Sequence, residues 1–195
     1  MRGEKQEEKR SSILKAAASI FSNKGYPNTK MQDIAEKAGI GKGTIYQYFK
    51  SKKHLFRQVI KEGMNFYLNG IKNEIKGYSD LKEILKVIVK FSFSFMEKHG
   101  HVLRMIASHR SIVDESTMKW IHDRKTKVVN LFSKIIAENT EKTAQNIDDI
   151  NLAAYCFFGM MISVIQEKVF HNRELDIEEV SEKIVNIFLR GYDKI

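Results

Sequence analysis

Thr29-Lys-Met-Gln-Asp-Ile-Ala-Glu-Lys-Ala-Gly39-Ile-Gly-Lys-Gly-Thr-Ile-Tyr-Gln-Tyr-Phe49-Lys-Ser-Lys-Lys53 reads as two short helices joined by a glycine-centred turn, with a basic cluster beyond. Thr29 is placed to cap the first helix, and Gln32 three residues later would complete a capping box. Met31, Ile34, Ala35 and Ala38 recur at i, i+3, i+4 and i+7, the spacing of one buried helical face. Gly39 supplies the backbone freedom that a tight helix–helix turn needs. In the second helix, about Lys42 to Phe49, only Ile45 and Phe49 are spaced to face inward. At 100° per residue, Gly43, Thr44 and Gln47 point away from that pair, with Tyr46 and Tyr48 on its flanks. A short helix with a small, polar and aromatic outer face, beside Lys50, Lys52 and Lys53, suits the major groove of DNA. The pattern is that of a helix-turn-helix.

Working outward, the charge of the chain is unevenly spread. Of its formal +9, residues 1–53 hold 12 Lys+Arg against 5 Asp+Glu, a balance of +7. The remaining residues hold 21 against 19, only +2. Positive charge concentrated around the groove-reading helix favours a polyanionic partner, duplex DNA. The 195 residues suffice for a small helical module, residues 1–53, and one larger core, residues 54–195. The only proline, Pro27, lies between the first two helices, and helical periodicity continues nearly everywhere, so the fold is expected to be all-α with about nine helices.

The first helix should run from about Lys5 to Lys24 and stop at Gly25. A fourth, capped by Ser51, should reach roughly Lys76 before Gly77. Others are expected from Ser79 to Lys98, His101 to His109, Asp114 to Glu138, Asp148 to His171, and Ile177 to Tyr192 behind Asp176. A single cysteine, Cys156, excludes an internal disulfide, and its apolar neighbours suggest a buried hydrophobe. The charged N-terminus lacks an apolar signal core. The longest uncharged apolar run, Leu152 to Ile165, is shorter than the ~18–20 residues a bilayer crossing needs. A cytoplasmic protein with no membrane partner is expected.

Gly25-Tyr26, Asp33-Ile34-Ala35, Ala38-Gly39-Ile40 and Lys42-Gly43-Thr44-Ile45-Tyr46-Gln47-Tyr48-Phe49-Lys50-Ser51-Lys52, taken together and in order, resemble the tetracycline-repressor (TetR) family of bacterial transcription regulators. The likeness covers roughly residues 10 to 57. Gly41 stands where members often carry a capping Ser, and glycine is a tolerated cap. The resemblance implies a homodimer formed by the last two helices, and an effector cavity within the larger region.

Two segments of that region, Val87 to Met96 and residues 152–165, are apolar all round and so must be covered on more than one side. The chain's own core, a partner chain and a ligand all remain open as the cover. Candidate pocket residues are Phe66, Phe91, Phe95, Met96, Met105, Trp120, Tyr155 and Phe158, with His99, Arg104 and His109 as polar anchors. Candidate dimer residues are Phe157, Gly159, Met161, Val180, Ile184, Ile187 and Phe188. The cavity's apolar character suggests a small lipophilic effector: a fatty-acyl compound, an aromatic or a cationic drug.

At the DNA site, Lys42 and Lys52 are expected to meet phosphates. Gly43 lets the backbone approach closely, and Gln47 can pair with an adenine edge while Thr44 offers a hydroxyl and a methyl. Tyr46 and Tyr48 can reach phosphates or a thymine methyl, and Thr29 and Lys30 open the second helix where an anion is favoured. The chain shows no metal-ligand spacing, nucleophile elbow, phosphate-binding glycine loop or dinucleotide fingerprint. No enzyme and no cofactor is expected. The sequence therefore points to a homodimeric repressor that a lipophilic effector releases from a palindromic operator. The alternatives are a constitutive architectural or silencing DNA-binding protein, and a helical adaptor whose basic end is incidental.

Overall fold

A computed structural model describes residues 2–100, 115–140, 147–171 and 173–192. Among these residues there are eight helices and no strand: α1 (Arg2–Asn28), α2 (Met31–Lys37), α3 (Lys42–Tyr48), α4 (Lys52–Glu74), α5 (Leu81–His99), α6 (Glu115–Asn139), α7 (Ile147–His171) and α8 (Ile177–Tyr192). The helix expected over His101 to His109, the Asp114 cap, and the candidates Arg104, Met105 and His109 lie outside the described residues.

The chain divides into two compact units, with α4 supplying residues to both; the division between them falls at Asn65, inside that helix. The first unit holds α1 to α3, the first half of α4 and the first residues of α6. Its core is Ile13, Ala17 and Phe21 of α1, Ile34 and Ala35 of α2, Ile45 of α3, Phe49, and Leu55 and Phe56 of α4, each at most 1% exposed. Gly25 breaks α1 with φ 74 and ψ 161, a conformation that an L side chain resists. The chain then turns through Tyr26 and Pro27, and the Tyr26 ring settles 5.8 Å from Phe21 and 4.8 Å from Phe56. Gly39, at φ +69, ends α2: its N–H donates to the Glu36 carbonyl at 3.1 Å and the Ile40 N–H to that of Ala35 at 3.0 Å. This paired closure is the Schellman arrangement, and it leaves only four residues between α2 and α3.

The second unit packs α5 against α7 and α8, and α7 against α8. Leu85, Ile88 and Val89 of α5, Ile136 and Phe132 of α6, Ala154 and Phe157 of α7 and Val185 of α8 have no exposed surface. The Phe157 ring lies 5.5 Å from Phe132 and 5.2 Å from Phe188, joining three helices. Ion pairs fasten the rim of α5: Lys82 and Lys86 both grip Glu182 of α8, at 2.7 and 2.9 Å, and Glu97 takes Lys168 of α7 at 2.8 Å. The α5 cap is Asp80, one residue beyond the expected Ser79, and its carboxylate accepts the Glu83 N–H at 2.9 Å. Ser51 and Asp176 cap α4 and α8 as expected. Ile147–Lys168 is the one described helix long and apolar enough to cross a membrane, with mean hydropathy 1.3. The uncharged run alone understated it. Its Ala153, Phe157, Met161 and Ile165 nevertheless line the interior of this unit.

Candidate nucleic-acid interface and effector region

The helix-turn-helix is built as its spacing required, with the start of α2 shifted. Lys30, in extended conformation, is the N-cap, and its N–H donates to the Asp33 carboxylate at 3.4 Å. Asp33 also receives Lys24 at 3.0 Å, and these hydrogen bonds hold its carboxyl below the usual aspartate range. Thr29 is therefore not the cap. It is 1% exposed, and its hydroxyl donates at 2.6 Å to the Gly25 carbonyl, at the break in α1. Gln32, the expected partner of Thr29, reaches Glu36 instead. As a candidate DNA contact, the Thr29 side chain is corrected to a buried support.

Gly41 caps α3 in extended conformation, and its carbonyl accepts the Thr44 N–H at 2.9 Å. Ile45 and Phe49 are buried at 0% and 1% exposure, which turns the opposite side of α3 outward. Lys42, Gly43, Tyr46 and Gln47 are exposed, as are Lys30 and Lys50, while Thr44 and Tyr48 are half-buried. A Cβ built on Gly43 would meet nothing within 4 Å, so nothing inside the chain demands a glycine there.

Lys52 is placed differently from its expected role. Its ammonium donates to the carbonyls of Tyr26, Pro27 and Thr29, at 2.8, 3.2 and 2.9 Å, and lies 4.6 Å above the Tyr26 ring. Burial pulls its pKa below the ordinary lysine value. Sequence reading missed this because the carbonyls belong to a loop more than twenty residues earlier. It also missed the grip of α4 on the first turn of α6. Arg57 donates to the buried Thr117 hydroxyl at 2.9 Å and to Ser116 at 2.9 Å, and Lys53 donates to Ser116 at 3.0 Å. Arg10 turns inward onto Gln58 and Glu62, over the Phe49 ring.

In the second unit, four pocket candidates come together as one aromatic strip on α4 and α5. Phe66, 63% exposed, stacks on Phe95 at 6.1 Å and meets the His99 ring at 5.9 Å. Phe95 lies 6.1 Å from Phe91 and 5.0 Å from Tyr67, a member the sequence did not single out. Tyr67 is buried, pairs with the Ser92 hydroxyl at 2.7 Å, and has its pKa pushed up to about 12 by that burial. Gly70 lets Phe91 lie directly on α4, since a Cβ there would overlap the ring.

The other pocket candidates are placed elsewhere. Met96 belongs to the core at 7% exposure, and Trp120 lies beneath the Arg124 guanidinium at 4.9 Å. Phe158 lies under the Lys125 ammonium at 5.3 Å, and Tyr155 is 44% exposed to solvent.

The dimer candidates divide as well. Phe157, Met161, Ile184 and Phe188 are core residues, none more than 6% exposed. Ile187 is 65% exposed, and α7 presents Leu152 at 57%, Tyr155 and Cys156. Cys156 is thus exposed, not buried as expected. Gly159 and Val180 lie half-exposed, and a Cβ on Gly159 would touch nothing. A helix apolar all round has no polar side to say which face turns inward.

The family model for bacterial regulatory proteins of the tetR family matches residues 13–59, the stretch that carries α2 and α3. Over that stretch the chain matches the DNA-binding module of the tetR family. Over 180 residues, 92% of the chain, it is 22% identical to the fatty acid metabolism regulator protein of Bacillus subtilis, covering 93% of that protein. It is 30% identical over 101 residues to the transcriptional activator FasR of Mycolicibacterium smegmatis, 52% of this chain and 46% of FasR. Its fold matches that of the B. subtilis regulator FadR, solved in complex with stearoyl-CoA, with TM-score 0.75, 22% identity, and 93% and 98% of the two chains covered. The matched stretch is the helix-turn-helix of DNA-binding transcription regulators.

Proposed function

We propose that this chain acts as a TetR-family homodimeric repressor, released from a palindromic operator by a long-chain fatty-acyl effector. The observation that carries the DNA half of this reading is the inward anchoring of Ile45 and Phe49, which leaves Lys42, Gly43, Tyr46 and Gln47 outermost. Gln47 would read a base edge, Lys42, Lys30 and Lys50 would meet phosphates, Gly43 would allow the close approach, and Thr44, Tyr46 and Tyr48 would complete the contact. A seven-residue helix reads few bases by itself. Two copies about 34–36 Å apart would read successive major grooves.

Leu152, Tyr155, Cys156 and Gly159 of α7 with Val180 and Ile187 of α8 supply an apolar, small-residue face for the second copy. The effector class rests on the open aromatic strip of Phe66, Phe91 and Phe95, and on stearoyl-CoA in the FadR relative. A second reading, activation instead of repression, is favoured by the likeness to FasR.

The test is a band-shift titration of duplex DNA from the chain's own upstream region, with stearoyl-CoA, free CoA or no addition. Linkage requires effector and operator to oppose each other by one factor, commonly about 5–150-fold. Weakened binding with stearoyl-CoA alone supports the repressor, and tightened binding the activator. Unchanged affinity removes the switch and leaves the constitutive protein.

A further inference from the structure

The ammonium of Lys52 has three hydrogens to donate, and three main-chain carbonyls of one short loop converge on it: Tyr26, Pro27 and Thr29. The Tyr26 ring closes a further side, and is itself wedged between Phe21 of α1 and Phe56 of α4. The loop is rich in acceptors and short of donors, because Pro27 has no N–H and the Thr29 hydroxyl is committed to Gly25. A lysine that meets a phosphate keeps its ammonium hydrated and free to turn. This one has every hydrogen engaged within the protein. The loop it grips runs into Lys30, the cap from which α2 begins, so the contact ties the entrance of the helix-turn-helix to the first residue of α4.

We infer that Lys52 is a positioning residue for DNA recognition: it fixes the α1–α2 loop, and with it α2 and α3, on the start of α4, and does not ligate a phosphate. The inference rests on α3 being the DNA-reading element, and the experiment keeps the two apart. Removing one cation that neutralises a phosphate lowers the slope of log K against log salt by about 0.9. A residue that acts through geometry changes K and leaves the slope alone.

The full chain would be titrated over a salt series against a duplex selected from a random pool by the unmodified protein. Lys42→Ala, on the exposed face, gives the size of a one-phosphate step. Should it leave the slope unmoved, the reading of the α3 face is at fault and not the assignment of Lys52. Lys52→Met is expected to bind about tenfold more weakly with an unchanged slope. Lys52→Arg keeps the charge, but its planar fork does not match three carbonyls gathered around a tetrahedral ammonium; weakening with an unchanged slope is expected there too. Tyr26→Leu removes the supporting ring without touching a charge, and its effect should be non-additive with that of Lys52→Met.

If Lys52→Met proves unfolded by circular dichroism, the Arg and Leu variants carry the test. A slope reduced by about 0.9 in Lys52→Met, with full binding restored in Lys52→Arg, overturns the inference. So do wild-type affinities in both.

Discussion

Replacing Gly43 with alanine should strengthen the fold and weaken its function. Gly43 is the second residue of α3, its φ is not positive, and a Cβ built there meets no atom within 4 Å. Alanine can adopt the native backbone without strain. An exposed helical glycine is about 0.5–1 kcal/mol less favourable than alanine, chiefly because its unfolded chain is freer. Urea denaturation of Gly43→Ala should therefore show a gain of up to about 1 kcal/mol. The same methyl group would stand between α3 and the DNA backbone, and loss of the close approach should cost at least about tenfold in affinity, roughly 1.4 kcal/mol.

Two internal controls lie on α4. Gly63 is exposed with open space around it, so Gly63→Ala should stabilise similarly and leave DNA binding alone. At Gly70 a Cβ would overlap Phe91, so Gly70→Ala should destabilise by about 1–3 kcal/mol from overpacking, less the helix-propensity gain. Fluorescence anisotropy on a labelled operator duplex measures the binding arm. A Gly43→Ala protein that is more stable and binds as tightly as the parent would refute the claim that this part of α3 closes on DNA.

Gln47→Ala should relax base preference at one position of each half-site and cost about 1–3 kcal/mol on the preferred sequence, read by competition with single-base variants. Leu152→Asp with Ile187→Asp should leave a folded monomer where the parent sediments as the proposed dimer in analytical ultracentrifugation, because both side chains are more than half exposed in the single chain; an unchanged sedimentation coefficient refutes that face. The third prediction concerns acid stability. Lys82, Lys86 and Asn186 hold Glu182 at a pKa of about 2, lowered from 4.5, so its contribution is present above about pH 4.5 and is lost as pH falls toward 2. Glu182→Gln should accordingly be less stable than the parent at neutral pH, with the two converging by about pH 2. The effect should be modest and shrink with salt, because the groups are partly open to solvent.

Local rules carried the sequence reading wherever a few neighbouring residues decide the outcome. The spacing of Ile34, Ala35, Ile45 and Phe49 located the inward faces of α2 and α3, because helical periodicity assigns a side chain to a face without reference to the rest of the chain. Gly25, Gly39 and Gly77 marked the ends of helices, and all three carry positive φ. Ser51 and Asp176 were legible as caps for the same reason.

Tertiary contacts decided what local rules could not reach. Lys52 and Lys42 look alike in the sequence, both basic and both at a helix start. Only the return of the Tyr26–Thr29 carbonyls makes one a half-buried strut and leaves the other facing solvent. Thr29 was the expected cap of α2, but its hydroxyl is taken by the Gly25 carbonyl at the break in α1, and Lys30, held by Asp33, caps the helix instead. In α7 every face is apolar, so the side chains themselves do not say that Phe157 and Met161 turn inward while Leu152 and Tyr155 turn out. That choice belongs to the neighbours, α5, α6 and α8. Periodicity gives a helix its faces, and packing across the chain determines what each face meets.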